Sequence, residues 1–372
     1  LLMTQAWLPL NPDAIPNMRW DTALHTMVSF LTNTNQQHYS GQAQLSYLSQ
    51  GMLIVGLQVI TPMMGLALVV ATLRALFGGR VAGAIARHAA TAEATACDVG
   101  NYWVDVVRAT LRFMLPLCLA LTVLLASQGV PSTLAAGPTV RPIDASAGMK
   151  AQKIPLGPVA PMVAVKQLGT NGGGWYGPNS AVPLENPTPF SNLLEMLAII
   201  LVPVSITFMV GPLTGRRRLT AFVFGTMLAM SLASAGAAIW SEGHSASSHD
   251  VALMEGKEVR IGPDASALWA SLTTQTSNGS VNAMHDSLAP LTGGVAIVDM
   301  LINGIWGGVG CGLQQFIVYL LLSVFLAGLM TGRTPELFGR KIEVGEVRLL
   351  ALLILLQPLV LLVFTAIALA VP

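Results

Sequence analysis

Charge is scarce in this sequence. Lys, Arg, Asp and Glu make up 10% of its 372 residues and balance to a net charge of +1. A clustered basic face that could neutralise phosphates is missing, so there is no electrostatic case for nucleic acid as a partner. Aromatics are also sparse at 6%, and there are three cysteines. Cys97 falls in a loop while Cys118 and Cys311 fall in or beside apolar runs, which suggests no disulfide framework. No GxxxxGK(S/T) can be read, the glycine spacing of Gly172 to Gly177 has no soluble α/β domain around it to hold a nucleotide, and no phosphorylatable Asp-Lys-Thr-Gly occurs. The chain therefore reads as having no ATP site and no organic cofactor, and as performing no chemistry by itself.

What is abundant is apolar surface. Hydrophobic residues reach 53% and the mean hydropathy is +0.63, which points to an all-α integral membrane protein. About 20 apolar residues cross the hydrocarbon of a bilayer. The runs Met52 to Leu76, Val106 to Ala126, Leu193 to Gly211, Leu219 to Trp240, Val295 to Met330 and Leu349 to Val371 meet or approach that length. The fifth is too long for one span and contains Gly307-Gly308-Val309-Gly310-Cys311-Gly312, where a break is expected. The chain opens at Leu1 on a stretch too short for a span or a signal peptide and stops at Pro372 directly after an apolar run, so both ends look cut.

Most of the 19 basic residues gather in three connections. Arg74, Arg80, Arg87, Arg108 and Arg112 flank the first; Arg216, Arg217 and Arg218 occupy the second; Arg333, Arg340, Lys341 and Arg348 occupy the third. By the positive-inside rule these face the cytoplasm, which puts Ser127 to Pro161 and Ser241 to Pro263 outside. A multi-pass membrane protein is expected.

Three helix-like runs are too brief to cross: Trp20 to Phe30, Pro161 to Leu168 and Pro263 to Thr273. About ten residues at 1.5 Å each reach only half the bilayer. Each run leads into a polar motif, namely Thr32-Asn33-Thr34-Asn35, Gly169-Thr170-Asn171-Gly172-Gly173-Gly174 and Ser277-Asn278-Gly279-Ser280. The order span, half-helix, polar loop, span recurs, with Thr32, Thr170 and Ser277 taken as equivalent, which predicts an old internal repeat. The units are expected at 1–100, 101–215 and 216–345, with 346–372 opening an incomplete fourth.

Irregular backbone at membrane depth is tolerated only where it is buried in protein or lines a wet cavity. A potassium filter supplies such a reason, because backbone carbonyls replace the hydration shell of the ion and glycine lets them face inward. Thr and Ser hydroxyls add oxygens, while Asn can bond orphan amides. The C-terminal ends of the half-helices would point partial negative charge at a cation.

These motifs, with Tyr39-Ser40-Gly41, Glu185-Asn186-Pro187-Thr188-Pro189, Ala283-Met284-His285-Asp286-Ser287 and Gly332-Arg333-Thr334-Pro335-Glu336, closely resemble those of the KdpA family. These are the channel-like subunits of bacterial potassium-importing P-type ATPases, and the resemblance runs over essentially the whole chain. It implies the fold of the superfamily of potassium transporters, four membrane-pore-membrane repeats around a pseudo-fourfold axis, of which three filter loops are present. Two departures are Trp175-Tyr176-Gly177-Pro178 after the second filter and Asn278 in the third. The transported ion would be K+, selected from outside and passed to an ATP-hydrolysing P-type ATPase subunit, with small accessory membrane subunits completing the complex. By the same resemblance Gly307, Gly308 and Gly310 belong to a gating loop beneath the filter and Arg333 to a basic position inside. The glycines read equally as close helix packing, and Arg333 as a helix-end residue snorkelling to the interface. His285 and Asp286 fit an outer mouth or a structural pair, and Glu185 and Glu195 read as cap or entrance charges. The competing function is a stand-alone K+ channel or ion-gradient-driven transporter of the same superfamily.

Overall fold

Among the described residues six helices are long and apolar enough to cross a membrane, and shorter ones alternate with them. The computed structural model describes residues 1–85, 99–144, 148–244, 254, 256–337 and 340–371, so Arg87 and Cys97 lie outside the described residues. In chain order the helices are α1 (Trp20–Leu31), α2 (Ser49–Phe77), α3 (Tyr102–Ser127), α4 (Val159–Leu168), α5 (Pro189–Thr214), α6 (Arg217–His244), α7 (Gly262–Gln275), α8 (Pro290–Ile302), α9 (Cys311–Thr331) and α10 (Val344–Ala370). The expected all-α membrane architecture is therefore present. The run from Val295 to Met330 divides into α8 and α9, and the break is Asn303 to Gly310, slightly upstream of where the glycines alone put it.

Local chemistry sets the ends. The α5 start is a reciprocal cap: Thr188 Oγ1 accepts from Ser191 N and Ser191 Oγ accepts from Thr188 N, both at 2.9 Å, with Pro189 in the first helical position. Asn101 caps α3 by accepting from Val104 N at 3.1 Å. The first turns of α2 are a π-helical stretch, Ser49–Ile54. Gly215, at φ +67°, ends α5 in the left-handed conformation that glycine adopts without a Cβ penalty.

Two compact units divide the chain. The first, Leu1–Leu313, holds α1 to α8 and the start of α9; the second, Gln314–Pro372, holds the rest. Within the first unit α4 packs between α3 and α5, α7 packs between α6 and α8, and α1 lies on α2. The polar C-terminal ends of α4 and α7 are thereby carried into the interior, where Thr170, Asn171, Thr276 and Asn278 are buried, while Thr32 and Thr34 at the end of α1 are exposed. Arg74 of α2 and Asp105 of α3 form a partly buried ion pair that ties those two spans. The chain after α3 makes a short antiparallel pair, Thr139–Val140 with Gln152–Lys153, and Lys153 reaches Asp13 at 2.6 Å. In the second unit α9 ends at Gly332 (φ +64°), where Arg333 N bonds back to Gly328 O at 3.0 Å, closing a Schellman turn. Arg333 is exposed in that turn.

Candidate functional site

The three polar motifs have one backbone geometry. After α1, Asn33 N bonds Phe30 O and Thr34 N bonds Ser29 O; after α4, Thr170 N bonds Gln167 O and Asn171 N bonds Lys166 O; after α7, Ser277 N bonds Thr274 O and Asn278 N bonds Thr273 O. In each loop the first residue of this pair is left-handed, at φ +58° for Asn33, +50° for Thr170 and +52° for Ser277, and so is the residue two further on, Asn35 at +56°, Gly172 at +82° and Gly279 at +86°. This pattern corrects the register read from residue types. Thr32 is the helix-end residue, with its hydroxyl on Val28 O at 2.8 Å and on the Thr34 hydroxyl. It corresponds to Gly169 and Thr276, while Asn33 corresponds to Thr170 and Ser277.

Left-handed residues at alternate positions have a chemical consequence. In an ordinary strand successive carbonyls point to opposite sides. Reversing the sign of φ at every second residue removes that alternation and lets successive carbonyls face one way. Left-handed φ is costly for a β-branched residue, so Thr170 in particular is held there by its surroundings.

The loops converge. A Cβ on Gly172 would overlap Asn278 O, and one on Gly173 would lie 2.9 Å from Asn35 Oδ1. One on Gly279 would lie 3.1 Å from Asn35 Nδ2. Asn171 Nδ2 donates to Asn33 Oδ1 at 2.7 Å, and Asn278 Nδ2 reaches Lys166 O at 3.3 Å. Asn171 and Asn278 also accept from the amides two residues on, Gly173 N and Ser280 N. The asparagines are thus the struts of the assembly and bring Asn33 and Asn35, Gly169 to Gly173 and Asn278 to Ser280 together, whereas Thr32 and Thr34 are exposed and bond within their own segment and Ser277 bonds Asn303.

The break between α8 and α9 lies against the same assembly. Gly307 N bonds Gln275 O at 2.8 Å at the end of α7, and Val309 N donates to Thr170 Oγ1 at 3.3 Å. A Cβ on Gly308 would come to 3.1 Å from that same Thr170 hydroxyl. Gly307 and Gly310 are left-handed, and Gly310 approaches Gly65 O of α2 so closely that its Cβ would lie 2.5 Å away.

Four groups escaped the sequence reading. Gln58 of α2, fully buried, donates to Asn171 Oδ1 at 2.9 Å and to Gly173 O at 2.7 Å. Lys166 and Gln167 stand at the end of α4, where the half-helix was read only as an apolar run. Lys166 pairs with Glu185, bonds Ser180 Oγ, and stands 3.9 Å from Glu195 Oε2, with all three charged side chains at 0% exposure. Glu185 and Glu195 are therefore neither cap nor entrance charges but buried partners of a lysine, and removing one partner of such a cluster costs about 3–5 kcal/mol. The fourth is Asp299 of α8, buried and accepting from Ser234 Oγ at 2.6 Å and Thr274 Oγ1 at 3.2 Å. A charged residue inside an otherwise apolar run was the available signal for Lys166 and Asp299.

In the chain after Gly174, Trp175 and Tyr176 are buried, with Tyr176 N on Glu185 Oε1 at 2.9 Å and its hydroxyl on Pro155 O. Burial pushes the Tyr176 phenol up. His285 and Asp286 form no ion pair among the described residues, and burial holds the His285 imidazole below its usual value.

Comparison with known proteins decides the family. Residues 1–372 match the family described as "Potassium-transporting ATPase A subunit". The chain belongs to the KdpA family. It is 46% identical to the potassium-transporting ATPase potassium-binding subunit of Pseudomonas putida and 42% identical to that of Gloeobacter violaceus, each over 100% of this chain and 64% of the relative. The subunit of the same name from Herpetosiphon aurantiacus is 41% identical over 98% of this chain and 64% of its own length. The chain thus spans 64% of the length of these KdpA relatives.

Proposed function

We propose that this chain supplies three walls of a K+ site and that the whole protein binds and translocates K+ as the non-catalytic subunit of an ATP-driven import complex. The observation that carries this reading is the shared backbone of the three loops, each at the end of a half-helix and left-handed at the same two positions. A cation stripped of water needs several oxygens presented to one point, and such loops present carbonyls without a carboxylate. The half-helix ends add partial negative charge from three directions. The remaining wall, the ATP-hydrolysing subunit that receives the ion, small accessory subunits and a place in the bacterial inner membrane belong to the same proposal. The gating role of Gly307, Gly308 and Gly310 is supported by the hydrogen bond from Val309 to Thr170, which joins the break to the second loop. Arg333, in the turn after α9, is proposed as the basic position on the inner side.

The test uses the full-length protein in complex with its ATPase partner. Gly279→Asp places a side chain where the nearest atoms are the movable Asn35 carboxamide, while Gly172→Asp meets loop 3 backbone. Both are expected to weaken K+ affinity sharply, Gly172→Asp with additional loss of folded protein. K+-dependent ATP hydrolysis at unchanged half-saturation in Gly279→Asp would remove the loops from the cation site.

A further inference from the structure

Counted from the first left-handed residue, which is Asn33 in loop 1, Thr170 in loop 2 and Ser277 in loop 3, the fourth position is Gln36, Gly173 and Ser280. In all three loops its backbone amide is held by a side-chain oxygen. Gln36 N donates to Ser29 Oγ at 2.7 Å, Gly173 N to Asn171 Oδ1 at 3.0 Å and Ser280 N to Asn278 Oδ1 at 2.9 Å. In loops 2 and 3 the carbonyl of this residue is held as well, by donors from unrelated places. Gln58 Nε2 of α2 donates to Gly173 O at 2.7 Å, and Trp269 Nε1 of α7 donates to Ser280 O at 2.9 Å. Each of these two loops is thus tied at its half-helix end and tied again at its fourth residue. Between the ties, the carbonyls of Thr170, Asn171 and Gly172 and of Ser277, Asn278 and Gly279 accept no hydrogen bond among the described residues.

We infer that Trp269 is a positioning residue for ion discrimination: its indole N–H fixes the carbonyl of Ser280 and so holds the three carbonyls before it at a spacing that suits K+ better than Na+. A buried indole N–H needs an acceptor in any case, but two features set this bond apart. The ring does not depend on it for its place, because Trp269 is fully buried in a cluster with Met196 and Ile199 of α5 and Leu272 of its own helix. The carbonyl it holds is also the one that Gln58 holds in loop 2, so two donors of different chemistry, carried on different elements, end on equivalent atoms. A close-packed interior yields little. A brace seated in it limits how far the loop can follow a smaller ion inward, which is what a preference for K+ over Na+ requires of a carbonyl cage. Trp269 itself touches no ion.

This inference rests on the loops being a cation site, and the experiment separates the two. In the full-length protein assembled with its ATPase partner, two concentrations are measured: the K+ that half-saturates ATP hydrolysis, and the Na+ that halves the rate at that K+ level, with choline keeping the ionic strength constant. The quotient of Na+ over K+ reports ion preference, and a merely structural loss of folded protein leaves it unmoved. Trp269→Phe keeps an aromatic ring in the cluster but has no donor. Placing 3-benzothienylalanine at position 269 keeps the tryptophan shape, with sulfur where the N–H was. Both changes are expected to lower the quotient about fivefold, the order of effect of one hydrogen bond. The isostere decides. An unchanged quotient in the 3-benzothienylalanine protein overturns the inference even where Trp269→Phe shifts it, since ring volume would then be the cause. Wild-type activity indifferent to K+ would instead overturn the cation-site reading itself.

Discussion

Gln58 marks how a single residue outside a motif can hold it. It lies on α2, far along the chain from loop 2, yet both of its amide hydrogens go to that loop, on Asn171 Oδ1 and Gly173 O. The Gly173 carbonyl thereby gives one of its two lone pairs to Gln58. Replacement by Met keeps length and apolar volume but removes both donors. At about 1 kcal/mol for each hydrogen bond, with a further cost for buried acceptors left bare, a loss of about 2–3 kcal/mol is expected. Thermal unfolding of the purified full-length protein should register it, together with a narrowed K+ over Na+ preference in ATPase assays. An unaltered melting temperature and an unaltered preference would show that loop 2 is held elsewhere. Gln58 was invisible in the sequence because one polar residue inside an apolar run changes no periodicity. The motif residues were legible for the opposite reason, since several adjacent Thr, Asn and Gly residues cannot stay at membrane depth without a task. Their alignment by type nonetheless misplaced Thr32, because equivalence is set by φ and by the hydrogen bond to the half-helix, and Asn33 carries both.

At the scale of elements, the α8–α9 break and α2 fit together backbone to backbone. A Cβ on Gly65 would lie 2.5 Å from Val309 O, and one on Gly310 would lie 2.5 Å from Gly65 O. Neither neighbour is a flexible side chain, so relief requires that α2 or the break shift. Gly65→Ala is the cleaner probe because Gly65 lies within a helix and has no left-handed φ to lose. Overpacking of this kind costs about 1–3 kcal/mol, and here the displaced atoms include Val309, whose amide bonds Thr170. Reduced turnover together with a lowered melting temperature is expected. Full turnover at wild-type K+ dependence would mean that the break can move without consequence for the loops. The sequence foretold a break from the glycines, and the half-helices from their length. What it could not give was the seat of that break against α2, which depends on residues far apart along the chain.

For the whole molecule, sidedness is the property that the positive-inside rule reaches and that the helix lengths alone do not. Arg216, Arg217 and Arg218 stand at the turn between α5 and α6, while the segment around Met149 leaves the far end of α3. One crossing separates them: α5 begins at Pro189, on the side to which the chain from α3 returns through loop 2, and ends at Gly215 beside the arginines. The half-helix α4 begins and its loop returns on the same side as the Met149 segment, so fixing that side fixes the face from which, under the proposed function, an ion would reach loop 2. Met149 and Arg218 are both exposed, so Met149→Cys and Arg218→Cys, each made singly in a full-length protein with Cys97, Cys118 and Cys311 replaced, supply accessible reporter thiols. Lysine and arginine collect in loops that remain in the cytoplasm. The Met149→Cys variant should therefore react with an impermeant maleimide added to spheroplasts, and the Arg218→Cys variant only after the membrane is opened. The reverse labelling would turn the mouth of the three loops toward the cytoplasm and make import through them untenable. Labelling of both variants in sealed spheroplasts would deny that α5 crosses at all.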